Sequence, residues 1–327
     1  MLRRKTKVKK HEMDMCNGPV LKKMLIFVIP LMFSSVLQLL FNAADVIVVG
    51  RFAGDNSLAA VGSTGSLINL LVNLFVGLSI GTTVVIANFF GAGKKQEVKD
   101  TVHTAIFLSI ISGIILTVIG IFGAKKILIL MQSPKEVLNL ATTYLQVYFA
   151  GITATMVYNF GSAILRAKGD TKRPLYILLF SGIINVILNL IFVIFFKMDV
   201  AGVAIASAVS QYLAAILILA ALFRNKDEYA LRMSKMHLNK KKAIAIIKIG
   251  LPAGMQNAIF QIANLFIQAG VNSFSATFVS GNAAAANADA LVYDVMAAFY
   301  TACGSFMGQN YGAGKRKRVL RSYFVSL

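Results

Sequence analysis

Long apolar runs recur along the whole chain, and they leave few folds open to it. Eight of them, near residues 24–49, 60–89, 101–123, 137–164, 174–196, 200–223, 243–272 and 283–310, are each long enough to cross ~30 Å of hydrocarbon as a helix. In that medium every backbone polar group needs a partner within the protein, so a bundle of helices is the expected solution. Only 14% of the residues are charged and 57% are hydrophobic, against about 25% charged in soluble domains. The fold class expected is an all-α polytopic membrane protein with about eight transmembrane helices. The first run is too long for the core of a cleaved signal peptide and lacks a small-residue cleavage site.

A formal net charge of +20 is compatible with nucleic-acid binding, but its distribution argues against a nucleic-acid partner. Lysines and arginines number eight in the tail, three in the 90–100 loop, four at 165–173, eight at 224–248 and five after residue 310. With eight spans, those 28 fall on one side of the membrane. The other side holds Arg51, Lys125, Lys126, Lys135 and Lys197 alone. Positive charge marks the cytoplasmic side, so the N-terminus is expected there, in a bacterial cytoplasmic membrane.

Within the first run lies Gln38-Leu-Leu-Phe-Asn42-Ala-Ala-Asp45. Gln38, Asn42 and Asp45 stand at i, i+4 and i+7 and share one helical face. An ionisable side chain inside a span costs a few kcal/mol or more, which makes it a functional-site candidate by default. The bland alternative is an aspartate near a helix end that reaches water or caps a neighbour.

The chain also repeats itself. Phe90-Gly-Ala-Gly-Lys94-Lys95 returns as Tyr311-Gly-Ala-Gly-Lys315-Arg316, a shift of 221 residues, and Ile29-Pro30 returns as Leu251-Pro252. Six spans separate the copies, so the repeats run in the same sense through the membrane, related by an axis along its normal. The expected organisation is a basic tail (1–23), a six-helix lobe (24–223), an interlobe connection (224–242) and a partial second lobe (243–327), two helices and a stub. On this reading the chain is a C-terminally truncated two-lobe protein, with a native eight-helix form as the alternative.

The pattern Asp45-Val-Ile-Val-Val-Gly50, the Gly91-Ala-Gly-Lys-Lys95 element, Arg166-Ala-Lys-Gly-Asp-Thr-Lys-Arg-Pro174 and the doubled plan resemble the multidrug and toxic compound extrusion (MATE) family. The Arg166–Pro174 loop is the most specific of these. The resemblance implies a two-lobe antiporter that exports organic, often cationic, small molecules against a proton or sodium gradient. It implies no cofactor beyond the coupling ion, and no obligate protein partner is inferred. Carried over, Asp45 matches the ion-coupling aspartate of the first helix. Family members often carry Asn-x-x-x-Asp in the fifth span; here Asn185-Val-Ile-Leu-Asn189 replaces it, so the second position does not titrate. Asn42, Asn185 and Asn189 are then expected as partners of Asp45, or else as ordinary interhelical hydrogen bonds. In a pocket of low dielectric Asp45 can exchange a proton; as a carboxylate it can instead share a sodium ion with amide oxygens.

Gln38, Gln261, Asn264, Gln268 and Asp294 complete the candidates, as cavity residues. Gln261, Asn264 and Gln268 share a face of the seventh span, and Asp294 stands at the repeat position of Asn73. Asp45 itself corresponds to Ile267, so ion coupling is expected in the N-terminal lobe. The Gly91–Lys94 element lacks the first glycine and the Ser/Thr of a phosphate loop, and reads as a helix terminator. Pro30 and Pro252 read either as bends that let the spans move or as harmless first-turn residues. His11, His103 and His237 are expected in or beside connecting segments, and Cys16 and Cys303 have neither disulfide nor metal spacing. No enzyme constellation appears. Two competing functions stay open: a lipid-linked oligosaccharide flippase of related architecture, which needs a cationic cavity, and a fragment that does not transport.

Overall fold

The computed structural model describes residues 13–131, 133–225, 230–232, 236–271 and 276–327. Each of the eight apolar runs forms a helix: α1 (Val20–Phe52), α2 (Asp55–Gly91), α3 (Lys95–Leu130), α4 (Lys135–Ala167), α5 (Lys172–Leu190), α6 (Asp199–Phe223), α7 (Lys240–Val271) and α8 (Ala276–Gly312). A short ninth, α9 (Arg316–Ser326), follows. Over their described residues six have both the length and the hydropathy of a membrane span, and α4 has the length but a more polar composition. For α4 the reason is visible in the fold, where it sits among α2, α3 and α6 and turns Tyr144, Tyr148, Thr155 and Asn159 toward an internal cavity. The polytopic all-helical fold stands.

Turn chemistry divides one helix from the next. Gly93 and Gly314, the second glycines of the two GAGK elements, take φ +69° and +71°. Lys94 N–H reaches back to Phe89 O (3.0 Å) and Lys315 N–H to Asn310 O (2.9 Å), so both elements end a helix with the same glycine-capped turn. In the 168–171 turn the buried Asp170 accepts the N–H groups of Lys172 and Arg173 (3.2 and 3.1 Å) and capped α5 begins there. The Arg173 guanidinium pairs with the same carboxylate and donates to Asn225 Oδ1 (3.1 Å) beyond α6.

Two apolar clusters fill the six-helix unit, and a third joins α1 to α8. In the third, Met24, Phe27 and Val28 of α1 pack with Ala298, Ala302 and Phe306 of α8, Phe27 and Phe306 meeting edge to face at 5.8 Å. By the repeat shift, the matching pair is α2 with α7. There Gly77-x-x-x-Gly81 crosses Gly250-x-x-x-Gly254 so closely that a Cβ on Gly77 would lie 2.3 Å from Gly254 Cα. Small residues at this spacing let two backbones touch, which is how helices associate where lipid removes the hydrophobic drive. Outward-facing side chains such as Phe122 and Phe195 are 77% and 79% exposed, as a face bathed in acyl chains requires.

Two expectations change. Pro30 and Pro252 are not first-turn residues: each lies well inside its helix, where it removes a backbone bond. His103 is not a loop residue. It is fully buried within α3, its Nδ1–H donating to Lys99 O (2.7 Å) and its Nε2 accepting from the Arg232 backbone (3.2 Å). With Asn239 N–H on Thr104 Oγ1 (3.1 Å), it ties the connection before α7 onto α3. His237 does lie in that connection, exposed and stacked on His103; His11 lies outside the described residues.

Candidate functional site

A cavity of about 580 Å³ opens between α1, α2, α4, α5 and α6. On α1 it takes only residues 38–46, the half of the helix away from the N-terminus, because the other half is sealed in the cluster with α8. Gln38, Asn42 and Asp45 all line it, as does Asn185.

Asp45 is held from two other helices. Asn189 Nδ2 of α5 donates to Asp45 Oδ1. Ser207 Oγ of α6 donates to Oδ2 at 3.5 Å, and itself accepts from Asn185 Nδ2 at 3.3 Å. Asn189 Nδ2 also reaches Asn185 Oδ1 (3.4 Å). The chain therefore runs from Asn185 through Ser207 to one carboxylate oxygen, while Asn189 occupies the other. Both lines of donors end on the carboxyl group of Asp45, which only accepts when ionised. Asn185 and Asn189 are buried because their i, i+4 spacing points both at α1 and α6. Directly after Asn189 the helix widens into a π-helical turn, Ile191–Phe195, a distortion that recurs at functional sites.

Asn189 Oδ1 is buried and receives no hydrogen bond. A carboxylate, an amide oxygen and a hydroxyl within one cluster are hard oxygen donors, suited to a proton or a hard cation. No group of three or more metal-ligating His, Cys, Asp or Glu side chains occurs among the described residues.

Not every candidate comes to this cluster. Asn42 lines the cavity one turn from Asp45 but is not among the groups bonded to the carboxylate. Gln261, Asn264 and Asp294, on α7 and α8, do not line it. The side chain of Gln268 lies outside the described residues. Sequence reading missed Ser207 and the aromatic wall of Tyr144 and Tyr148, whose rings stack at 6.1 Å. The polar and aromatic stripe on α4 was the available signal, since Tyr144, Tyr148, Thr155 and Asn159 recur on one helical face.

The MatE family profile matches residues 30–191 and 252–327, both copies of the repeat. The chain belongs to the MatE family. It is 30% identical over 311 residues to a probable multidrug resistance protein, YpnP, of Bacillus subtilis, covering 94% of this chain and 68% of the relative. It is 26% identical to the probable multidrug resistance protein NorM of Thermotoga maritima, over 92% of this chain and 66% of that protein. A FAD transporter of Shewanella oneidensis is 25% identical over 97% and 71%. Among solved structures, MATE in its bent conformation superposes with a TM-score of 0.90 at 25% identity, covering 98% of this chain and 71% of that one. An outward-facing multidrug resistance MATE transporter superposes at 0.87 with 25% identity, over 98% and 71%. The chain thus spans about two thirds of the length of these MatE relatives. The family is one of multidrug efflux transporters rather than enzymes.

Proposed function

We propose that this MatE chain acts in the alternating-access export of organic cations, driven by a proton or sodium ion that binds at Asp45. The observation that carries the reading is the hydrogen-bonded cluster of Asp45, Asn189 and Ser207 in the wall of a cavity large enough for a drug-sized molecule. Cavities of about 300–1,000 Å³ bury such ligands. The same wall carries Phe41, Tyr144 and Tyr148, and aromatic faces attract cations. Cation entry and drug release follow from one geometry: an ion bound at the carboxylate cancels the charge that attracts an organic cation.

The flippase reading requires positive charge for a pyrophosphate. Among the described residues no lysine or arginine lines the cavity, which favours cationic cargo. The basic N-terminal face supports a cytoplasmic N-terminus in a bacterial cytoplasmic membrane.

Asp45→Asn tests the assignment. In vesicles with an imposed proton or sodium gradient, the variant is expected to insert normally and to lose gradient-driven dye efflux. Normal efflux by Asp45→Asn would overturn the coupling role. The same assay on the 327-residue chain, beside a version with the second lobe completed, separates a transporting chain from an inert one.

A further inference from the structure

The segment 13–18 crosses the N-terminal-side face from one repeat to the other. At one end its backbone rests on the α4–α5 turn: Gly169 has φ +92°, and a Cβ there would come within 2.7 Å of Met13 N and O. At the other end the α8–α9 turn grips it. Arg318 donates from Nε to Met15 O (3.1 Å), from Nη1 to Gly18 O (2.7 Å) and from Nη2 to Asn17 O (3.0 Å). Lys315 Nζ donates to Cys16 O (2.6 Å) and Asn17 Oδ1 (2.8 Å), and Asn310 Nδ2 to Met15 O (3.2 Å). Met15 is fully buried as a plug against α1 and α8.

The segment is pre-formed for that grip. Asp14 accepts from Cys16 N–H (2.8 Å) and Asn17 Nδ2 (2.7 Å), closing a tight turn, and Lys23 Nζ holds Asp14 O (2.5 Å). The turn aims successive carbonyls at Arg318, whose rigid fork suits several acceptors at once. In the first repeat Lys94, the counterpart of Lys315, is exposed, and Glu97 stands in the place of Arg318 and pairs with Lys242, so the arginine grip belongs to the second repeat.

Beneath it the two repeats meet backbone to backbone. A Cβ on Gly91 would lie 1.9 Å from Gln309 O, and one on Gly312 would lie 1.9 Å from Asn88 O. These two contacts exchange under the 221-residue shift, so they flank the pseudo-two-fold axis. Gln309 Nε2 adds a bond to Ala167 O (2.8 Å) between α8 and the α4–α5 turn. The N-terminal side is closed here, while the cavity lies in the opposite half.

We propose that residues 13–18 form a strap that locks this closure, so that Arg318 and Lys315 must release it before α2 and α8 can part. The assignment rests on the alternating-access reading. Five of the strap's bonds come from the charged groups of Arg318 and Lys315, and such bonds are about twice as strong as neutral ones. All but one of their acceptors are backbone carbonyls, so the lock recognises the shape of the segment more than its side chains.

The test is a spin-label distance measurement on the 327-residue chain in lipid nanodiscs. Labels go at Lys172→Cys and Lys317→Cys, both exposed, with Cys16→Ser and Cys303→Ser in the background. The parent is expected to give one short, narrow distance. Arg318→Gln is expected to add a longer component, lowering the closed-to-open ratio about tenfold for loss of one charged donor. Replacing residues 13–18 by a Gly-Ser segment of equal length should open it further, and Arg318→Lys should restore part of the short distance. Met15→Ser, which leaves all charges in place, is the second variant should Arg318→Gln fail to fold. Distributions unchanged from the parent in the Arg318 or Met15 variant and in the Gly-Ser replacement would overturn the strap. The readout needs no transport. Efflux that survives Asp45→Asn removes the coupling reading and leaves the strap standing; an unchanged distance beside intact, Asp45-dependent efflux removes the strap alone.

Discussion

Asn189 donates its side-chain amide to Asp45 across 144 positions of sequence, so that α5 orients a carboxylate carried by α1. Ser207 of α6 reaches the other oxygen. Three helices thus converge on one acid, and neutralising the acid alters the balance among all three. Under the proposed coupling role, that convergence is what would link a bound ion to movement of the three helices.

Asn189→Leu leaves Asp45 Oδ1 without its donor while keeping the volume close. Stranding a buried acceptor costs about 1–3 kcal/mol, and more where it is charged. Thermal unfolding in detergent should show that loss, and Asp45→Asn/Asn189→Leu should recover part of it, because the stranded charge is then gone. Strictly additive losses in the double-mutant cycle would argue against the bond.

Ser207→Ala should cost less, roughly 0.5–1.5 kcal/mol, because the bonds it loses are long and their partners keep other contacts. A loss as large as that of Asn189→Leu, in the same melting experiment, would show that Ser207 rather than Asn189 is the principal support of the carboxylate.

Gly250→Leu should separate α7 from α2. A Cβ there would sit 2.5 Å from Leu78 Cα, and forcing atoms into a packed interface costs about 1–3 kcal/mol. Gly65→Ala, in open space on α2, is the control. It should leave stability unchanged or raise it, since alanine is favoured over glycine in a helix by about 1 kcal/mol. Equal behaviour of the two variants in thermal unfolding would remove the crossing as a packing element.

His103→Ala removes the acceptor for Arg232 N–H and the bond to Lys99 O. The connection before α7 should then open more often, with trypsin cleaving at Arg232 several-fold faster under native conditions, because proteolysis follows the population of locally opened states. An unaltered cleavage rate would show that Thr104 and the neighbouring contacts hold the connection without it.

Tyr148→Leu should weaken binding of a fluorescent planar cation by about 0.5–2 kcal/mol, the range of a cation over an aromatic face. A neutral dye of the same shape should be affected less. Equal losses for both dyes, by fluorescence titration, would reduce Tyr148 to a shape contact.

Much of the site was legible because helices impose a period. Gln38, Asn42 and Asp45 at i, i+4 and i+7 all reach one cavity; Asn185 and Asn189, pointed to by the family resemblance, come from α5, Asn185 lining the cavity and Asn189 bonded to Asp45. Ser207 was not legible, since serine in a span commonly bonds its own helix, as Ser210 does to Ser207 O. His103 misled for a related reason. A histidine near a helix end reads as solvated, and only the course of the connection back over α3 shows that Arg232 buries it.

What the sequence determined by itself is whatever the membrane makes obligatory or the repeat makes explicit. Apolar runs must be helices, basic loops mark one side, and a 221-residue shift announces two copies of one unit. The tertiary structure alone decided which helices touch. That Gly250 meets Leu78, that Arg318 clamps Met15 and that Ser207 reaches Asp45 depend on how helices cross. Crossing is set by the fit of small residues and single polar bonds, and neither leaves a periodic trace along the chain.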